Sequence, residues 1–153
     1  AKINMKKLSL YIFLVLMVCN VSYSQSMMSL KNYIEDNKGY LGDPITYAYI
    51  LKRCASVYLY AGAITKDANK QTSDEFLNLY RNISFSVTKM LTEQMNWTAE
   101  VAGKNVLTDM ENMGKYYEID GNDSFARTGK YMENNYIGED LRVCKAIVEG
   151  LNK

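Results

Sequence analysis

The chain has 153 residues, 18 basic and 17 acidic side chains and no histidine. Lack of histidine excludes Ser-His-Asp and Cys-His catalysis, histidine-held zinc and haem with a histidine axial ligand. A net charge of +1 supplies no field for drawing in nucleic acid or an anionic membrane surface.

The first methionine is Met5, and Lys6 and Lys7 lead directly into the apolar run 8–18. A basic start followed by an apolar stretch of this length is the pattern of a secretory signal peptide, which makes Met5 the expected start of translation. Ser22 and Ser24 place small side chains three and one residues before a cut between Ser24 and Gln25. Residues 1–24 are therefore expected to be leader and cleaved signal peptide, and 25–153 a single helical domain. Two alternatives stand beside this. An uncleaved anchor would need ~20 apolar residues to cross the hydrocarbon core, and the run is shorter. A lipoprotein would use Cys19, but Val18 before it is bulkier than the Gly, Ala or Ser such sites take.

Removing 24 of 153 residues leaves 129, enough for one hydrophobic core. Lys2, Lys6 and Lys7 leave with the leader, so 15 of the 18 basic residues remain against 17 acids, a net charge of −2. Of the three cysteines, Cys54 and Cys144 stay. In an oxidising compartment such a pair is expected to form a disulfide. The competing use, a reactive or metal-binding thiol pair, lacks companion ligands.

Ser29 to Asn37 reads as a short helix with Leu30, Tyr33, Ile34 and Asn37 on one face and Gly39 as its stop. Asp43 caps the next helix and Pro44 occupies its first turn, where a missing N–H costs nothing. It should run to about Thr65. Tyr47, Leu51, Cys54, Tyr58 and Ala61 follow the four-three rhythm of one buried stripe, with Ala48, Ala55 and Gly62 beside it to admit a close partner helix.

Thr72 and Glu75 read as a capping box opening a long helix. Its stripe, Phe76, Tyr80, Ile83, Val87 and Met90, changes phase from Met95 to Ala99, Ala102, Val106, Met110 and Met113. That shift predicts a break near Asn96-Trp97-Thr98, with helices over about 74–95 and 98–117. After a loop at 120–123, Ser124 is expected to cap a helix containing Phe125, Thr128, Met132 and Tyr136. Gly138 separates it from a last helix in which Leu141, Cys144, Val148 and Leu151 share a stripe. The fold class expected is all-α, a small bundle of about four to five helices stapled by one disulfide.

No catalytic motif emerges, and no cofactor or metal is implied. Asp120, Asn122 and Ser124 match the start of a calcium loop, but position six is Phe125 and position twelve is Tyr131, so the segment reads as a turn. Glu93 and Glu100 share a helix face with Asp109 and Glu111 nearby, a pattern more typical of solvated surface than of paired catalytic carboxylates. Glycines 103, 114 and 121 are isolated and form no phosphate loop.

Tyrosine is the compositional outlier, with 13 in the chain. Tyr49, Tyr60, Tyr116 and Tyr117, with Arg53 at the core margin, are the candidate interaction surface, because tyrosine offers apolar area and a polar tip at low entropy cost. Arg53 is also read as a structural partner for a carboxylate or an aromatic ring. The functional expectation is a periplasmic or secreted, non-enzymatic helical protein that binds a protein partner or its own copies. A carrier of a small apolar ligand comes second, and an enzyme inhibitor or small carboxylate-based enzyme third. No nucleic acid partner is expected, and no membrane association after signal cleavage.

Overall fold

The structure is a computed structural model that describes residues 27–151; the expected leader, signal peptide and cleavage point lie outside the described residues. Five α-helices and one 3-10 turn make up the described chain, with no strand. Helix α1 spans Leu30–Asp36, a 3-10 turn Tyr40–Gly42, α2 Pro44–Thr65, α3 Lys70–Met95, α4 Ala99–Thr128 and α5 Ile137–Leu151. None is long and apolar enough to cross a membrane.

Local chemistry sets most of these boundaries. The Ser29 side chain accepts the Asn32 N–H at the start of α1, and Gly39 takes a left-handed conformation that turns the chain into the 3-10 segment. Asp43 accepts the N–H groups of Ile45 and Thr46 at 3.2 and 3.3 Å, ahead of Pro44. The break expected near residue 96 is present. Asn96 ends α3 in the left-handed region, and Thr98 opens α4 by accepting the Val101 N–H.

The start of α3 differs from the sequence expectation. Its cap is Asn69, which accepts the Thr72 N–H at 3.0 Å, so Thr72 supplies a capped donor and is not itself the cap. Ser73 turns inward, and its hydroxyl donates to the Gly62 carbonyl at 2.7 Å. A Cβ at Gly62 would lie 3.0 Å from Leu77, so the small residue there sets how closely α2 and α3 approach.

Helix α2 is the axis of the molecule. A single buried stripe was expected, but residues 50–58 are all buried, because α1, α3, α4 and α5 pack around it. Leu30, Ile50, Val57, Val87, Leu91, Val106 and Ile137 fill the surrounding core. This burial of apolar surface supplies the main driving force of the fold.

The largest departure concerns Ser124. No helix begins there; α4 continues through Gly121 to Thr128 and stops at left-handed Gly129. Ser124 is buried, and its hydroxyl faces the Lys130 and Glu133 carbonyls at 2.8 and 2.5 Å, satisfying the loop that folds back over the end of α4. Met132 and Tyr136 belong to this loop and not to a helix. Cys54 and Cys144 form the expected disulfide between α2 and α5, with Cα atoms 5.3 Å apart.

Candidate functional site

Arg53 does not lie at the core margin. It is among the largest fully buried side chains, only 1% exposed, and it faces Asp140, which is completely buried. Its Nη2 is ion-paired with Asp140 Oδ2, its Nη1 donates to the Met28 carbonyl at 2.7 Å, and its Nε points to the Tyr117 hydroxyl at 3.4 Å. Tyr117 donates to Asp140 Oδ2 at 2.6 Å, and the Leu30 N–H donates to Oδ1 at 2.6 Å. The Arg53 guanidinium also lies 5.9 Å from the Tyr136 ring centre, and Tyr136 donates to Asp120 at 2.6 Å.

Burial, reinforced by Asp140, pushes the Tyr117 phenol well above its usual value, so it stays a hydrogen-bond donor at neutral pH. Both carboxylate oxygens of Asp140 and three guanidinium nitrogens of Arg53 are engaged with the protein itself. Such a closed network ties the start of α1 to α2, α4 and α5. Each of these bonds joins one part of the protein to another, which braces the helices against each other.

Tyr60 and Tyr117 are buried, which removes both from the interaction surface expected of them. Tyr117 is held by the Arg53 network. Tyr60 wedges against α4 at Gly121, where a Cβ would sit 1.8 Å from its hydroxyl oxygen. Tyr116 is exposed on α4, and Tyr49 is half-buried against Tyr33 with ring centres 4.4 Å apart. The five sequence candidates are thus not one surface.

The structure gathers a different set at one end of the bundle. Tyr33 and Tyr49 pack together, and Tyr40 and Tyr47 face each other at 6.3 Å. Next to them Leu41 is 73% exposed and Ile45 47% exposed. Tyr40, Leu41 and Tyr47, with Ile34 of α1 and Val143 and Ile147 of α5, line an open, mostly apolar cleft of about 600 Å³. Gly39, in the left-handed region, opens the 3-10 segment that carries Tyr40 and Leu41, two of the residues lining it.

Two further open clefts exist. One of about 510 Å³ lies between α3 and α5, over Tyr58, Phe76 and Leu141. Another of about 640 Å³ lies between α2 and α4, with Glu111, Lys115 and Glu118 at its edge. Tyr116 lines none of the three. Glu93 and Glu100 are solvent-exposed, and the Asp120–Ser124 segment is helical. Among the described residues no cluster of three His, Cys, Asp or Glu side chains is placed to hold a metal.

Asp140 and Lys52 were not singled out from the sequence. Lys52 is nearly buried and pairs with Asp109 while donating to Asn105 at 3.1 Å, joining α2 to α4. A signal for Asp140 was present, since it lies four residues before Cys144 on the same inward stripe. Comparison of the chain with protein-family models, curated proteins and solved structures returns no match.

Proposed function

We propose that this chain is an exported, non-enzymatic helical module that binds a polypeptide through the tyrosine-lined cleft between α1 and α5. The observation that carries the reading is one open apolar cleft lined by Tyr40, Leu41 and Tyr47 opposite Val143 and Ile147, with Leu41 73% exposed. Aromatic side chains with an apolar body and a polar tip are the residues that interfaces concentrate at their centres. The buried disulfide supports export, because such bonds persist in oxidising compartments.

A carrier of a small apolar ligand is the second reading. The cleft volume of about 600 Å³ fits a small molecule. Its openness favours a polypeptide, since a carrier gains affinity by enclosing its ligand. A photo-crosslinking residue at position 41, in protein made by the exporting cell, separates the two. A polypeptide adduct supports the interaction module. A small-molecule adduct, retained in native mass spectrometry, replaces it with the carrier.

A further inference from the structure

We infer that the occupant of the tyrosine-lined cleft is a second copy of this chain, related by a two-fold axis, with Leu41 of each copy seated in the cleft of the other. This rests on the interaction reading above and names its partner. A two-fold interface uses one patch twice, so that patch must carry both the knob and the hole. Leu41 is the knob, 73% exposed at the tip of the 3-10 turn, and the apolar wall of Val143 and Ile147 is the hole.

Charge points the same way. Among the described residues, Lys31 and Glu35 are the charged side chains lining the cleft, and they sit four residues apart on α1 at 56% and 60% exposure. Within one copy their charged atoms are 4.0 Å apart, a loose pair at high exposure. When two α1 helices meet antiparallel across a two-fold axis, Lys31 faces Glu35 of the other copy at both ends. The patch is therefore complementary to itself, while a strongly acidic or basic partner would meet one like charge for each opposite one.

Sedimentation velocity on the oxidised protein as recovered from the cell that makes it, run from micromolar concentration upward, tests this. The expected result is a reversible doubling of mass. Leu41→Asp should abolish it, and Lys31→Glu should weaken it by on the order of tenfold. The double exchange Lys31→Glu with Glu35→Lys should restore it. All three sites are exposed, and an unchanged far-UV circular dichroism spectrum checks that the variants fold. A monomer at every concentration, or a dimer that Leu41→Asp leaves intact, overturns the inference. In that event a crosslink from position 41 to a different polypeptide would keep the interaction reading, and absence of any polypeptide crosslink would remove both.

Discussion

Arg53 and Asp140 meet inside the bundle beside the two residues that form its disulfide: Arg53 directly precedes Cys54, and Asp140 lies one helical turn before Cys144. The ion pair and the covalent bond therefore join the same two helices, α2 and α5, at one level. Removing one member of a buried pair strands the other charge, at a cost of about 3–5 kcal/mol. Asp140→Leu and Arg53→Met should each lower stability by that amount in urea unfolding. The double replacement Arg53→Met with Asp140→Leu should cost less than the sum of the single changes, because no unpaired charge remains. Additive losses would show that the two residues act separately.

The disulfide closes a loop across 90 residues of sequence separation. Chain-entropy reasoning gives roughly 4–5 kcal/mol for loops near that length, and ~2–4 kcal/mol is more typical of measured cases. Cys54→Ser and Cys144→Ser should destabilise by similar amounts, since either opens the same loop. Reduction of the unaltered protein should match them. Unequal losses would mean that one cysteine matters for packing beyond the bond it makes.

What was legible in the sequence was mostly local. Asp43-Pro44, the break at Asn96 and the stripes carrying Cys54 and Cys144 each follow from geometry within a few turns. Residues 120–123 misled because Asp-Gly-Asn-Asp favours a turn in isolation, whereas packing of Gly121 against Tyr60 keeps the segment helical. Tyr117 could have been placed correctly: the spacing of Met110 and Met113, extended by four, lands on it. Tyr60 could not, because a single-stripe reading of α2 puts it outside, and only contact with several helices covers it. The apolar cleft was beyond reach for a related reason. It depends on Tyr40 and Leu41, just after the Gly39 turn, sharing one cleft with a helix about a hundred residues further along.

Gly121 and Tyr60 make a steric prediction. A methyl group at Gly121 would lie 1.8 Å from the Tyr60 hydroxyl oxygen and 2.6 Å from its Cζ, so Gly121→Ala forces α2 and α4 apart or displaces the ring. A cost of about 1–3 kcal/mol is expected from such overpacking. Tyr60→Phe by itself should be neutral or stabilising, because the buried hydroxyl has no hydrogen-bond partner among the described residues. In the Gly121→Ala background it should recover only part of the loss, since Cζ still clashes. Full recovery would show that the oxygen alone defines the contact.

Alkaline pH tests the buried phenols. Burial, followed by Tyr131 and Glu118, pushes Tyr60 up to about 12, and burial with Asp120 raises Tyr136 while burial with Asp140 raises Tyr117. In the unfolded chain these groups titrate near 10.0. Above that pH the unfolded state has released protons that the folded state still holds, so the folded state binds more protons and stability falls as pH rises. Below about pH 10 both states keep the phenols protonated, and these three groups contribute no slope. Urea midpoints should therefore be insensitive to these tyrosines from neutral pH to about 10, then decline steeply. Tyr117→Phe should start from a lower midpoint, having lost its bond to Asp140, yet decline less steeply above pH 10. An unaltered protein whose midpoint held level through pH ~12 would mean that the phenols ionise as readily inside the bundle as in water, and that the Tyr117–Asp140 contact is open to solvent.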